Sequence, residues 1–146
     1  MVIGIFGENC TGKSTLANAV RDALGGEIVT GKDYLRMAKS ESVAKVMFRK
    51  KLAQAVTGGN VIYVIGDHEQ LAMLPDGAVR ILVTADLATI KERFRQRMHG
   101  TLPAPVAMML EKKHGCFDSD PHDFLYDGAS GDTDALCSAL RERFAE

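Results

Sequence analysis

Apolar residues are spaced along this 146-residue chain in two alternating rhythms. Short runs rich in β-branched residues occur at Val2 to Phe6, Glu27 to Thr30, Val61 to Ile65 and 80–84, and each has the length and composition of a strand. The run Val61-Ile62-Tyr63-Val64-Ile65 shows no polar alternation, which predicts a strand covered on both faces, as in a parallel sheet. A weaker fifth strand is read at Asp123 to Tyr126.

Between these runs the spacing becomes helical. Residues 13–24 place Leu16, Val20, Ala23 and Leu24 on one stripe, which Gly25-Gly26 stops. A longer helical stretch is expected over about 34–57, interrupted near Ser40-Glu41-Ser42 and closed by Gly58-Gly59-Asn60. Its expected apolar positions are Leu35, Val43, Val46, Met47, Leu52 and Val56. Asp86 can cap a helix reaching about His99, because its carboxylate can accept a free first-turn amide. Pro103 and Pro105 interrupt the pattern before a shorter helix near 106–114. A last helix, about 133–145, carries Leu136, Leu140 and Phe144. Strands alternating with helices of this length predict βαβ units: one α/β domain over 1–146, its parallel sheet flanked by helices on both faces.

Charge narrows the choice of partners. Eighteen Lys and Arg against nineteen Asp and Glu leave a net charge of -1, so neither nucleic acid nor an anionic membrane is an expected partner. No apolar run is long enough to span a bilayer. Three sparse cysteines, Cys10, Cys116 and Cys137, suggest no disulfide framework and fit a reduced, cytoplasmic protein.

The sharpest signal is Gly7-Glu8-Asn9-Cys10-Thr11-Gly12-Lys13-Ser14, which fits G-x-x-x-x-G-K-[ST] at every fixed position. From average residue usage such a match arises at a given start on the order of a few times in 10⁵. It also falls between a strand and an amphipathic helix, where a phosphate cradle must lie. The glycines permit backbone conformations that turn successive amides inward. Lys13 supplies a positive point charge, the Ser14 hydroxyl can bind Mg²⁺, and the following helix adds the positive end of its dipole. The segment from Gly7 to Thr15 is therefore the expected site for a nucleoside triphosphate. Cys10 reads as a small side chain at a variable position of that loop.

Beyond this loop the chain resembles the nucleoside and nucleotide kinase branch of P-loop proteins, the adenylate- and shikimate-kinase-like group. Besides GENCTGKSTLA, the likeness rests on Thr30-Gly31-Lys32-Asp33-Tyr34-Leu35-Arg36. That segment is similar to the T-G-D-x-L-R segment of adenylate kinases with one residue added. Lys91-Glu92-Arg93-Phe94-Arg95-Gln96-Arg97 is similar to the Arg-bearing helix leading into that family's mobile lid. The resemblance implies a three-layer sandwich with strand order 2-3-1-4-5, a short lid-like segment near 93–120, and ATP with Mg²⁺ as the phosphoryl donor. It also implies acceptor contacts from Thr30 and Arg36, and a base-edging loop at Asp127–Asp132. Two features depart from the family. Gly66-Asp67-His68-Glu69-Gln70 replaces the G-F-P-R segment after strand three, and the large inserted lid is missing.

Phosphoryl transfer needs cations, a metal and an oriented acceptor. Asp67 should emerge at the carboxyl end of a central strand as a Mg²⁺ anchor or acceptor-orienting base, or simply as a helix cap. Asp33 competes with it for the same role from the end of strand two. Arg93 and Arg97 share one helix face and could close over the phosphates, whereas Arg95 points elsewhere. Lys45, Arg49, Lys50 and Lys51 read as a solvated basic face, and the His114, Cys116 and His122 spacing fits no zinc pattern. These residues lead us to expect an ATP-dependent phosphotransferase acting on a small metabolite or nucleotide. The alternative is a nucleotide-dependent regulatory ATPase or switch without a small-molecule acceptor. Acceptor identity and oligomeric state are not legible.

Overall fold

In a computed structural model that describes residues 1–145, the chain forms a five-stranded sheet in the order β2-β3-β1-β4-β5. The strands are β1 (Val2–Phe6), β2 (Glu27–Thr30), β3 (Val61–Ile65), β4 (Val79–Thr84) and β5 (Phe124–Asp127). Every pairing is parallel, with Val2 opposite Val61 and Ile3 opposite Val79 at the centre of the sheet. β1 and β3 are buried along their whole length, as their unbroken apolar runs predict.

The helices are α1 (Lys13–Leu24), α2 (Glu41–Gly58), α3 (His68–Leu71), α4 (Leu87–Arg97), α5 (Ala104–Lys113) and α6 (Thr133–Phe144), with a 3₁₀ turn at Asp33–Met37. One sheet face buries Ile3, Ile5, Ile62 and Ile81 against Leu16 and Val20 of α1 and Leu136 and Leu140 of α6. The opposite face buries Phe6, Tyr63 and Ile65 under Phe48 and Leu52 of α2. There Phe48 stacks on Tyr34 with centroids 5.1 Å apart and meets Tyr63 edge-on at 4.9 Å. A smaller third cluster joins Cys10 and Ala85 to Ile90 of α4 and Leu110 of α5.

Asp86 caps α4 as expected, its Oδ1 accepting the Thr89 amide at 2.7 Å. Two expectations need correction. The buried stripe of α2 is Ala44, Phe48, Leu52 and Ala55, whereas Val43, Val46 and Met47 are exposed. The aromatic anchor and two small alanines set the buried face, because small residues let the helix approach the sheet closely. Pro103 and Pro105 start α5 rather than delay it to 106, since a first-turn proline loses no intrahelical bond. The four-residue helix α3 begins after Asp67, which caps it, one of the two roles expected of that carboxylate. No helix among the described residues is long and apolar enough to cross a membrane.

Candidate active site

The phosphate loop leaves the central strand β1 and enters α1 through Gly12, whose φ of 103° suits glycine. No side chain caps α1 among the described residues, so no side chain takes up its first-turn amides. Lys13 donates from Nζ to the carbonyl oxygens of Gly7 (2.7 Å) and Glu8 (2.8 Å). Thr11, fully buried, donates from Oγ1 to the same Glu8 oxygen at 2.9 Å. Burial pushes the Lys13 ammonium down to about 8, and the charge of Arg97 adds to the effect while Cys10 and Glu8 oppose it. Ser14 and Thr15 are exposed at the mouth of the loop. Cys10 takes a left-handed backbone conformation, φ 61°, and buries its side chain in the third cluster.

Arg93 of α4 reaches this loop directly. Its Nη1 donates to the Cys10 carbonyl at 3.1 Å and its Nη2 to the Gly128 carbonyl at 3.0 Å. The guanidinium therefore ties the phosphate loop to the loop after β5. Gly128 sits so close that a Cβ there would lie 1.6 Å from the Thr11 carbonyl oxygen. The Asp127 carboxylate turns that second loop by accepting the Ala129 and Ser130 amides, which hold its pKa below the usual value. Between the loops lies a cavity of about 570 Å³ lined by Cys10, Gly12, Thr15, Arg93, Arg97 and Tyr126, among others. That volume suits a small-molecule ligand. Arg95 instead pairs with Glu92 through Nε at 3.0 Å.

The carboxylates expected on the acceptor side occupy the ends of β2 and β3. Asp67 accepts the Gln70 amide on Oδ1 (2.8 Å) and the Gln70 Nε2 on Oδ2 (3.1 Å), so it caps α3. Gln70, nearly buried, accepts the Gly66 amide in turn. Tyr63 donates to the Gly31 carbonyl at 2.7 Å, and its phenol is raised by burial and then by neighbours including Tyr34, Asp67 and Asp33. Both carboxylates thus bear on one buried tyrosine. Thr30 and Asp33 are exposed, and the Arg36 side chain is 87% exposed, 4.0 Å from Asp33. Asp33 and Arg36 border a 220 Å³ cleft at the β2 edge with Tyr34 and Lys51, apart from the cavity beside the phosphate loop.

Two features have no counterpart in the sequence patterns. The Glu8 carboxylate, 10% exposed, meets His114 Nδ1 at 3.0 Å and accepts the Gly115 amide at 3.1 Å. The fit of Gly128 against Thr11 is likewise a meeting of distant segments. The basic face of α2 is partly paired, Lys45 with Glu69 and Lys51 with Glu27, both at 2.8 Å.

Among the described residues no three His, Cys, Asp or Glu side chains are grouped as a metal cage. The Ser14 hydroxyl and Asp67 carboxylate are nevertheless hard oxygen donors of the kind Mg²⁺ takes, since that ion fills its shell largely with phosphate oxygens and water.

A parallel 2-3-1-4-5 sheet with a glycine-rich loop and lysine between β1 and α1 defines a P-loop kinase-like fold. Solved structures share it along nearly the whole chain. A sugar kinase from Janibacter sp. HTCC2649 superposes with a TM-score of 0.64 at 15% identity, covering 97% of this chain and 92% of its own. The shikimate kinase of Bacteroides thetaiotaomicron gives 0.61 at 14% identity, covering 100% and 99%. The deoxyadenosine kinase of M. mycoides, with bound dATP, gives 0.58 at 17% identity and covers both chains completely. No family model matches the chain, and no curated protein matches its sequence.

Proposed function

We propose that this protein is an ATP-dependent phosphotransferase acting on a small metabolite or nucleotide. One observation carries the reading: the glycine-rich loop, with Lys13 folded into it, opens beside a cavity walled by Arg93 and Arg97. Kinases among the similar structures support it.

In this reading the amides of the loop from Gly7 to Thr15 bind the triphosphate, aided by the α1 dipole. Lys13 leaves the Gly7 and Glu8 carbonyls for phosphate oxygens. The cavity that Arg93 and Gly128 both line takes the base and ribose, and Arg97 offsets phosphate charge. Ser14 and Asp67 would hold Mg²⁺, which supplies charge neutralisation of the transferring group when bound. Gln70 fixes the Asp67 carboxylate in one orientation while leaving a lone pair on each oxygen. Asp33 is the second candidate for orienting the acceptor hydroxyl, with Thr30 and Arg36 as acceptor contacts. The free thiols of Cys10, Cys116 and Cys137 fit a reducing, cytoplasmic setting.

The test is ADP release with MgATP across a panel of nucleosides, nucleotides, sugars and small alcohols. At least one acceptor should raise turnover well above background hydrolysis, and Lys13→Ala should abolish that increase. A nucleotide held tightly and hydrolysed slowly, unaffected by any acceptor, would replace the enzyme with a switch.

A further inference from the structure

The short stretch after α5 carries an unusual share of long-range bonds. At its start, His114 Nδ1 and the Gly115 amide engage the two oxygens of Glu8, a residue of the phosphate loop. Gly115 has a φ of 80°, so the chain turns there. Two residues later Phe117, 2% exposed, packs edge-on against Phe6 at the end of β1 with centroids 5.6 Å apart. The same ring stacks on His68 at 4.5 Å. Asp120 then meets His68 Nε2 at 2.7 Å. Within seven residues the chain thus grips the donor loop at one end and the β3–α3 corner at the other, beside Asp67.

The hold is suited to opening and closing. One buried aromatic ring centres it, but the polar clasps at either end are partly exposed: 38% for His114 and 53% for His68. Such bonds open locally at far lower cost than core strands. The Glu8 clasp also lies where a ligand would act. Lys13 Nζ now rests on the Glu8 carbonyl, at 2.8 Å, and must leave it to meet a phosphate. The backbone of the residue whose side chain holds the strap therefore loses a bond whenever the triphosphate site fills.

We propose that residues 114–120 are a strap that transmits occupancy of the phosphate loop to the Asp67–His68 corner, with Glu8, His114, Phe117 and Asp120 as its fastenings. The inference rests on the reading that this loop binds a triphosphate. Glu8 and His114 are then positioning residues, because they act on the reacting groups through the strap. A ligand shifts such an element only through unequal affinity for its two arrangements, and departure of Lys13 from Glu8 supplies that inequality.

The test uses the full chain, Mg²⁺ and a non-hydrolysable ATP analogue, with calorimetry for binding and hydrogen exchange for the strap. Filling the site should change amide exchange at 114–120 and at 66–71 by about 10-fold, while 133–144 stays constant. Glu8→Ala, which removes both bonds to the strap, should abolish the response at 66–71, and His114→Ala, which leaves the Gly115 amide on Glu8, should weaken it. Asp120→Asn should weaken the response from the opposite end, so the test survives if one variant fails to fold. Binding without any response at 114–120 overturns the proposal, as does an undiminished response at 66–71 in Glu8→Ala. If calorimetry detects no binding to the native chain, the triphosphate reading falls, and the strap's role with it.

Discussion

Triphosphate binding should draw protons from solution above neutral pH, and Lys13 is the reason. In the free protein its ammonium lies on two backbone carbonyls in a buried setting that lowers its pKa from 10.5 to about 8. The difference corresponds to about 3 kcal/mol disfavouring the charged form. Phosphate oxygens favour the cation, so the bound complex keeps Lys13 charged well above pH 8. Binding should take up about 0.1 proton at pH 7, about 0.5 at pH 8 and about 0.9 at pH 9. Affinity should be nearly flat below pH 8 and fall by up to about tenfold per pH unit above it.

Stability of the free protein should move the opposite way. Between pH 8 and 10.5 the unfolded chain holds a proton on Lys13 that the folded chain has lost, so this residue's contribution rises with pH. Calorimetry of MgATP binding in two buffers of different ionisation enthalpy reads the uptake directly. Lys13→Arg, whose guanidinium stays charged, is the control and should show none of it. Equal uptake at pH 7 and pH 9, or unchanged uptake in Lys13→Arg, would refute the reasoning.

Two further outcomes follow from the packing. Gly128→Ala should lower MgATP affinity at least 10-fold, or cost about 2–4 kcal/mol in urea unfolding, because its Cβ would lie 1.6 Å from the Thr11 carbonyl oxygen. A variant matching the native protein in both measurements would contradict the close fit of the two loops. Phe48→Ala should cost about 3–5 kcal/mol, since the ring is 1% exposed between Tyr34 and Tyr63. Val46→Ala, at a residue 67% exposed, should change stability by less than about 0.5 kcal/mol. Comparable losses in urea titrations would restore the aliphatic stripe as the buried face of α2.

That last contrast marks the boundary of what patterns along the chain reveal. Unbroken apolar runs mark β1 and β3 because burial on both faces leaves no polar alternation to confuse them. The glycine-rich loop between β1 and α1 is equally plain, since its fixed positions form a local pattern of set spacing. Asp86 was legible as a cap for the same reason. The burial of α2 was not, because Ala44 and Ala55 carry little hydrophobic signal yet determine how closely the helix can lie. The ties from Glu8 to His114 and from Arg93 to Gly128 span 106 and 35 residues. They depend on which loops the sheet order brings together, and no local rule encodes that meeting. Asp33 and Asp67 stand out along the chain as carboxylates that follow strands, but their shared bearing on Tyr63 emerges only in three dimensions.

Because every strand runs the same way, the two rims of the sheet have unequal duties. The glycine-rich loop and the residues tied to it gather at one rim, and the far one carries the hairpin-free connections entering β2, β3 and β4. Gly58, the last residue of α2, and Asp76, on the connection into β4, are exposed there, and a Cβ built at Gly58 meets nothing within 4 Å. A dye, a resin linkage or a fused reporter can be anchored there, leaving the rim of the glycine-rich loop facing open solution.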